Sequence, residues 1–357
     1  MNSFLIISFI KNAFTRIILE CSFKIYKIKL KSSISLHNRI LFIVVFTAVN
    51  IYANKYTYNE KKLGGDFKLI FYTSEKNNAD LIAKQTYLFV DSLNKIFSNY
   101  LKKSEISVLN KKGKLKNASF KLATLLNLSQ QAYLKTNGYF DISVQPLIEF
   151  WNKAEKRNKF PSEKSLIKQQ KFIGVNSVLT ITNSNNIFLK RKSKLDLGGI
   201  AKGFIIDEVY AFLKKKNITS FLIEAAGDIR VFGSPENADF WNVGVSSTNS
   251  NSYIVALESG QAIATSGKTY RFRIIEGKKY SHIINPKILT PVSHNLTSSV
   301  IANSAVEADY LASTFNIVVD KNKIDKIINN HKDIELLIFN NRSIIYATNK
   351  FLKTDKK

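Results

Sequence analysis

A carboxylate, a pair of glycines and a lysine follow one another within a short stretch of this chain, as Asp196, Gly198, Gly199 and Lys202. Apolar residues at helical spacing predict a helix directly afterwards, over 205–216. Glycines let a backbone approach a ligand closely, and a helix N-terminus offers N–H groups to an anion. The stretch matches neither a Walker A loop nor the dinucleotide fingerprint. It favours a phosphorylated ligand, and the alternative is a glycine-rich turn with a solvated lysine.

Asp309 and Ser313 form a second group that could do chemistry. They stand four residues apart in a segment, 304–316, whose pattern predicts a helix, so both side chains share one face. A carboxylate and a hydroxyl are hard oxygen ligands, which suit Mg²⁺ or Ca²⁺ better than Zn²⁺. Backbone oxygen from the turn at Gly199, waters or ligand phosphates would have to complete the site. Thr314 leaves the hydroxyl assignment open by one residue, and the alternative is a structural acid beside a buried serine.

His282 is the third candidate, in a strand-like segment before Asn285 and Pro286. A neutral imidazole accepts a proton near neutral pH and can activate a hydroxyl nucleophile. A single histidine on a strand more often makes a structural hydrogen bond, so the residue type alone does not predict catalysis.

Segments spread along the chain resemble, in the expected order, the pattern of the flavin transferases of the ApbE family, the thiamine-biosynthesis lipoprotein type. The resemblance covers about residues 65–350. Each segment alone is a weak signal, but their occurrence together in the family's order makes the resemblance strong. Besides the stretch around Gly199, it is carried by Phe97–Tyr100, Ser104–Ser107, Leu109–Asn110, Gly138–Asp141, Pro146–Leu147, Trp151, Ala226–Ile229, Ala264–Gly267, Ser281–Pro286 and Ala308–Ser313.

This resemblance implies an enzyme that transfers FMN from FAD to a serine or threonine hydroxyl of an acceptor protein and releases AMP. It implies Mg²⁺ near Gly199, Asp309 and Ser313, catalytic roles for His282 and Asp309, and His282 as general base or as the group that orients the acceptor. The residues implied around the flavin nucleotide are Tyr100, Tyr139, Phe140, Asp141, Asp196, Lys202, Thr265, Ser266, Gly267 and Ile284.

The residues themselves give separate expectations for Phe140 and Asp228. Phe140 is expected to pack in the core rather than to contact the flavin. Asp228 is expected either to brace the site or to cap a turn.

The chain departs from the family pattern at several positions, which bear on ligand affinity more than on fold. They are Ser143, Ala226 in place of a usual glycine, Asn285 in place of a usual aspartate, and the segment 287–290. Two other functions therefore remain open: an FAD pyrophosphatase that uses water as nucleophile, and a flavin-binding protein without turnover. A basic adaptor at a membrane surface is a more distant third.

The composition indicates a basic globular protein. The 357 residues are 45% hydrophobic, enough for a sizeable core in one large domain or two close lobes. Lysine and arginine number 53 against 27 acidic residues, a net charge of +26. The basic residues are dispersed, and neither zinc-finger spacing nor an RNA-binding aromatic signature occurs, so we expect no nucleic-acid partner. Anionic membrane lipids are a weaker expected partner. Cys21 is the only cysteine, which excludes an intrachain disulfide.

The N-terminal region resembles an export signal. Residues 40–49 are almost continuously apolar and follow several basic residues, a length typical of a signal peptide rather than of a membrane span. We expect 1–62 to be a leader or a membrane anchor, and the protein to be periplasmic or associated with the inner membrane. Lipidation is not expected, because Glu20 precedes Cys21 where a lipobox needs a small residue. The alternative is a buried core segment.

Periodicity beyond the leader predicts an α+β fold, with an α/β unit packed on a larger antiparallel sheet, which agrees with the two-lobe architecture of ApbE-like proteins. We expect one domain over 63–350 and a polar tail over 351–357. A connection or hairpin arm is predicted over 153–171. Further helices are predicted over 78–97 and 119–136, and strands over 67–72, 221–224, 229–232, 241–245, 253–257, 270–275, 279–284, 336–339 and 343–347.

Overall fold

The computed structural model describes residues 53–246, 252–267, 272–340 and 343–352. The apolar run at 40–49, nearly all of the expected leader and most of the polar tail lie outside these residues. Within them, no helix has the length and apolar character needed to cross a bilayer.

Helices occupy both halves of the described chain. In order they are α1 (Lys76–Phe97), α2 (Glu105–Lys112), α3 (Phe120–Lys135), α4 (Gln145–Lys156), α5 (Glu163–Ile167), α6 (Val175–Val178), α7 (Ala201–Lys215), α8 (Ala305–Ile317), α9 (Lys321–Asn329) and α10 (Asn349–Leu352), with 3-10 turns at Ile142–Val144 and Gln170–Phe172.

Strands are concentrated at the start and in the second half. They are β1 (Asn54–Lys62), β2 (Gly65–Thr73), β3 (Lys114–Leu115), β4 (Leu179–Ile181), β5 (Ile187–Leu189), β6 (Phe221–Ala225), β7 (Asp228–Phe232), β8 (Trp241–Ser246), β9 (Ser252–Leu257), β10 (Ala262–Gly267), β11 (Phe272–Ile275), β12 (Lys278–Ser281), β13 (Ile284–Asn285), β14 (Thr290–Pro291), β15 (Thr297–Ala302), β16 (Glu335–Phe339) and β17 (Ile344–Ala347).

Eight of these strands form one large sheet, in the order β1-β2-β6-β7-β10-β15-β16-β17, and each neighbouring pair is antiparallel. Side chains alternate across it as a period of two requires. On β6, Phe221 and Ile223 join the main core, whereas Leu222 joins a second cluster on the other face. Strands buried on both faces explain the nearly unbroken apolar sequence of β6 and β16.

Different elements pack on the two faces of this sheet. Helices α1, α7 and α8 pack on one face and share the main core with it. The β8–β9 hairpin packs on the opposite face, where Trp241, Val243 and Val255 meet Val231 and Leu337. A helical layer on a large antiparallel sheet agrees with the predicted α+β class.

A smaller lobe surrounds Trp151. Its buried cluster combines α4 with the hairpin segments β11 to β14, through Leu147, Ile275, Ile284 and Leu289. The indole N–H of Trp151 donates to the carbonyl oxygen of Leu289 at 2.9 Å. This lobe positions the segment that contains His282.

The structure corrects the expected start of the folded body. Residues 54–62 were assigned to the leader, yet they form β1 and pair with β2 along all nine residues. The strand is polar because it lies at the sheet edge and is mostly exposed, so its sequence lacks the apolar alternation of a half-buried strand. Tyr58 anchors it: its ring stacks on Phe71 with centroids 5.7 Å apart, and its hydroxyl donates to Asp80 at 2.7 Å.

Other boundaries moved, and some elements were not predicted. Helix α7 begins at Ala201 rather than 205, so Lys202 lies in its first turn. The strand expected over 279–284 ends at Ser281, and the chain bends before β13. The arm expected over 153–171 contains the end of α4 and the whole of α5. Among the elements that the pattern missed are α2, α4, α9 and β15.

Tyr58→Ala should lower the free energy of unfolding by about 1–2 kcal/mol, because it removes a stacked ring and a hydrogen bond that hold β1 on the body. Thr57→Ala, at an exposed position of the same strand, is the matched control and should change stability by less than about 0.5 kcal/mol. Urea unfolding of both variants provides the measurement. Equal stability of the two variants would contradict the assignment of β1 to the folded body.

Candidate active site

The N-termini of α7 and α8 meet at Gly203, with no space between the backbones. A Cβ atom built on Gly203 would collide with the carbonyl group of Ala305 and lie 2.7 Å from the Cα of Val306. The amide N–H of Gly203 donates to Asp309 Oδ2 at 2.9 Å. Glycine is therefore required here for close approach, and the two motif stretches at 196–203 and 308–313 are joined directly.

The structure brings together the three residues expected near a metal. A Cβ atom on Gly199 would lie 3.1 Å from Ser313 Oγ, and Asp309 is on the same face of α8 one turn earlier. Thr314 is fully buried and its hydroxyl donates to the carbonyl oxygen of Tyr310 at 2.8 Å. Ser313, not Thr314, therefore faces the turn at Gly199.

Lys202 is paired within the protein. Its Nζ lies 2.5 Å from Asp228 Oδ2, and the Asp228 side chain is 2% exposed. Burial works to lower the pKa of Lys202, but the charges of Asp228 and Asp309 outweigh it and the pKa is raised. Lys202, which was predicted to lie beside a phosphate, thus forms an ion pair with Asp228. The pair ties Asp228 to the first turn of α7, and its role as a brace of the flavin nucleotide stays a prediction.

Asp309 is a buried carboxyl beside another acid. Burial and the nearby charge of Asp228 raise the pKa of Asp309 to about 7, against the opposing effects of Lys202 and the Gly203 N–H. Burial likewise raises the pKa of Asp228, with Lys202 opposing it. Two acids therefore share one lysine, and both are costly to keep charged.

Two asparagines hold the turn at Asp196. Asn99 Nδ2 donates to Asp196 Oδ1 at 3.0 Å, and the Gly198 N–H donates to the same oxygen at 3.1 Å. The Asn110 side chain makes a two-way pair with the backbone of Leu195, at 2.8 and 2.7 Å. The early segments of the family pattern therefore act here by fixing the strand-to-helix turn.

Asp141 makes its contacts within the protein. Its carboxylate accepts from the Ser143 N–H and hydroxyl at 2.9 and 2.6 Å, and from the N–H groups of Gly174 and Val175 at 2.8 and 3.2 Å. Burial raises its pKa, and these hydrogen bonds oppose the change. In this arrangement Asp141 ties α6 to the segment before α4, and the flavin contact implied for it stays a prediction.

The three candidate aromatics lie in different environments. Phe140 is buried against Tyr310, with ring centroids 5.5 Å apart, as expected for a core residue. Tyr139 is half-buried, and Lys287 Nζ lies 5.7 Å from its ring centre. Tyr100 is 86% exposed, next to the asparagine that holds the Asp196 turn. Tyr100 and Tyr139 present ring surface to solvent, whereas Phe140 lies behind Gly199.

The hydroxyl segment on β10 lies beside the ion pair. The Thr265 N–H approaches Asp228 Oδ1 at 3.4 Å, and the Ser266 carbonyl oxygen accepts from Asn316 of α8 at 3.2 Å. Thr265 is exposed, while Ser266 and Gly267 are half-buried. These three residues are thus close to Asp228 and α8, where a phosphate contact was predicted.

His282 and Ile284 belong to the lobe around Trp151. His282 is exposed at the bend after Ser281, while Ile284 is buried in the lobe's apolar cluster. The contacts of Ile284 are therefore with the core of this lobe. The role of His282 in proton transfer stays a prediction.

Sequence reasoning missed Asp207 and Arg230 as parts of the site. Asp207 Oδ1 pairs with Arg230 Nη1 at 2.6 Å, and the carboxylate accepts the N–H groups of Ala305 and Val306. The sequence contains one signal for Asp207, its spacing, because it stands one helical turn after Gly203. Without the α8 packing partner, that spacing indicates only a shared helix face.

The surrounding structure accommodates Ala226, which stands where the family usually has glycine. Ala226 has a positive φ of 48°, a conformation that glycine adopts at lower cost. A Cβ atom on Gly65 would lie 2.8 Å from the Ala226 methyl group, so the glycine at 65 leaves room for it. Asn285, another of the departures, accepts the Lys287 N–H at 2.9 Å in a local turn.

The donor set fits a hard divalent cation. Asp309 supplies a carboxylate, Ser313 a hydroxyl, and the turn at Gly199 backbone oxygen, which are ligand types that Mg²⁺ prefers. A cation would also offset the excess negative charge that Asp228 and Asp309 share against Lys202. Within the described residues, no three His, Cys, Asp or Glu side chains cluster as a metal site, so ligand oxygens would complete the coordination.

Comparison with known proteins identifies the family of this chain. Residues 63–338 match the model of the ApbE family. The chain belongs to the ApbE family. This confirms the resemblance stated from the motifs.

Two relatives named FAD:protein FMN transferase illustrate the ApbE match. One from Buchnera aphidicola subsp. Schizaphis graminum is 28% identical over 283 residues, which cover 75% of this chain and 82% of that protein. One from Haemophilus influenzae is 26% identical over 312 residues, covering 83% and 88%.

Solved ApbE structures share the fold. The flavin transferase ApbE from Vibrio cholerae superposes with a TM-score of 0.71 at 21% identity, covering 85% of this chain and 99% of that one. The ApbE protein from Thermotoga maritima gives a TM-score of 0.71 at 25% identity, covering 80% and 94%. The predicted ApbE-like α+β fold is confirmed.

Gly203→Ala should lower the free energy of unfolding by about 1–3 kcal/mol, because the added methyl group collides with α8. Alanine in a helix would otherwise gain up to about 1 kcal/mol over glycine, so the sign is diagnostic. Gly244→Ala is the control, since a Cβ there meets nothing within 4 Å. Chemical denaturation of both variants measures the difference; a neutral or stabilising Gly203→Ala would contradict the close helix packing.

The pH dependence of stability should report Asp309. Its pKa of about 7 lies above the value of about 3.9 for an unfolded chain, so the folded protein binds this proton more tightly. The stability of the wild type relative to Asp309→Asn should therefore fall by more than about 1 kcal/mol as pH rises from about 5 to about 7. Unfolding is followed in urea with a chelator present. A stability difference that is independent of pH would contradict the raised pKa.

Proposed function

We propose that this protein transfers FMN from FAD to a serine or threonine hydroxyl of an acceptor protein and releases AMP. The observation that carries the proposal is the junction at Gly203, which brings Asp309 and Ser313 of α8 against the glycine turn that opens α7. The names of the ApbE relatives, which are FAD:protein FMN transferases, support the same reaction.

Mg²⁺ is the proposed metal, held by Asp309, Ser313 and backbone oxygen near Gly199. When bound, it would neutralise the diphosphate of FAD and polarise the phosphorus that is attacked. The hard oxygen donors and the surplus of buried acid over lysine support this assignment.

The chain's own residues would bind and orient the nucleotide. The positive potential at the N-terminus of α7, next to Lys202, would attract the diphosphate. Thr265, Ser266 and Gly267 add hydroxyl and N–H donors from the neighbouring strand. Exposed Tyr100 and half-buried Tyr139 offer ring faces to the isoalloxazine.

In the transfer step, the acceptor hydroxyl oxygen forms a bond to the phosphorus on the FMN side of the diphosphate. The bond from that phosphorus to the bridging oxygen breaks, and AMP leaves with the bridging oxygen. The hydroxyl proton passes to His282, the proposed general base, which lies at the surface of the protein.

The place of action is a further proposal. The apolar run at 40–49 and the basic residues before it support export to the periplasm or attachment to the inner membrane. The net charge of +26 supports contact with anionic lipids.

FMN transfer should be detected directly by mass spectrometry. The purified protein, FAD and Mg²⁺ are mixed with a threonine-containing acceptor, whose mass should increase by one FMN phosphoester while AMP accumulates in equal amount. Asp309→Ala should lower the rate by at least about 100-fold, because it removes a charged metal ligand. His282→Ala should lower it by about 10²–10⁴-fold, as loss of a general base does.

The same assay separates the alternatives. Glu208→Gln, on the far side of α7 where Glu208 pairs with Lys121, is the control variant and should retain wild-type transfer. AMP and free FMN without acceptor labelling would instead identify a pyrophosphatase. FAD binding without AMP release would identify a flavin carrier.

A further inference from the structure

Asp207 binds the N-terminus of α8 from the side of α7. Its carboxylate accepts the N–H of Ala305 at 2.8 Å through Oδ1 and the N–H of Val306 at 3.0 Å through Oδ2. These are the first two residues of α8. A bidentate contact of this kind fixes both the axial position and the rotation of the helix.

Arg230 holds that carboxylate in place. Its Nη1 lies 2.6 Å from Asp207 Oδ1, and its Nη2 donates to the Asn303 carbonyl oxygen at 2.9 Å, just before α8. The guanidinium also lies 3.8 Å from the ring centre of Tyr210. Arg230 is on β7, so the sheet, α7 and the entry to α8 are tied at one point.

The N-cap of α8 leaves the first N–H groups of the helix to another acceptor. The hydroxyl of Ser304 accepts only the Glu307 N–H, at 3.3 Å. Ala305 is buried from solvent, so its N–H depends on a partner within the protein. Because that partner, Asp207, is on another helix, the same contact caps α8 and ties its position to α7.

Placement of α8 determines the position of Asp309. Asp207 and Gly203 lie one turn apart on α7, and their partners on α8, residues 305–306 and Asp309, also lie about one turn apart. Each helix thus donates N–H groups to an acid of the other, through Gly203 to Asp309 and through Ala305 to Asp207. A shift of α8 would move Asp309 and Ser313 together away from the turn at Gly199.

We propose that Asp207, held by Arg230, is a positioning residue that sets the register of α8 and so places Asp309 and Ser313 for a divalent cation. This inference rests on the metal site of the proposed function. Asp207 acts through the α8 backbone and does not contact the metal or the flavin nucleotide.

The test measures Mn²⁺ binding to the full-length protein by electron paramagnetic resonance, without FAD and well below the unfolding temperature. Asp207→Asn should weaken Mn²⁺ binding by about tenfold or more, the usual effect of losing a residue that orients a metal ligand. Glu208→Gln, the neighbouring acid with its own ion pair to Lys121, is the matched control and should stay within about twofold of wild type. Saturating Mn²⁺ should restore most of the turnover of Asp207→Asn, which a globally damaged protein would not recover.

Arg230→Gln provides a second variant in case Asp207→Asn does not fold. It leaves both Asp207 hydrogen bonds to α8 but removes their tether, so Mn²⁺ binding should weaken less than in Asp207→Asn and more than in Glu208→Gln. Wild-type Mn²⁺ affinity in either folded variant would overturn the positioning role alone. Mn²⁺ binding that survives Asp309→Ala would overturn the proposed metal site, and the positioning role with it.

Discussion

The site depends on the close approach of two helix N-termini. Each N-terminus carries roughly half a positive charge, so bringing two together is unfavourable unless negative charge lies between them. Asp207 and Asp309 provide it, one from each helix, and each accepts N–H groups of the other helix. Gly203 permits the contact because any side chain would enter the space of Ala305. The same few residues therefore supply both the negative charge and the close fit that this junction requires.

The surrounding elements keep that junction in place. The large sheet packs against α7 and α8 on one face and against the β8–β9 hairpin on the other, and β7 contributes both Asp228 and Arg230 to the junction from alternate positions. Before α7, Asn99 and Asn110 fix the turn that leads into the helix. The acids are thus held by hydrogen bonds to rigid elements, which is what a site for a charged ligand requires in a low-dielectric environment.

The sequence allowed much of this to be predicted, and physical reasons explain the rest. The four-residue spacing of Asp309 and Ser313 implied a shared helix face, and the structure has it. Lys202 was expected beside a phosphate but pairs with Asp228, because a tertiary ion pair leaves no local pattern. Asp207 was missed for the same reason. β1 was missed since an exposed edge strand needs no apolar alternation, and the short α2 and α9 are stabilised by packing rather than by a long apolar stripe.

The pair Gly65 and Ala226 has a consequence for how this sequence can vary. Gly65 begins β2 and Ala226 lies in the turn after β6; the two positions share space for a single methyl group, and in this chain residue 226 occupies it. The identity of one residue thus restricts the other, although they are far apart in sequence. A change to alanine at 65 would be tolerated only after 226 had become glycine, so the two changes have a permitted order.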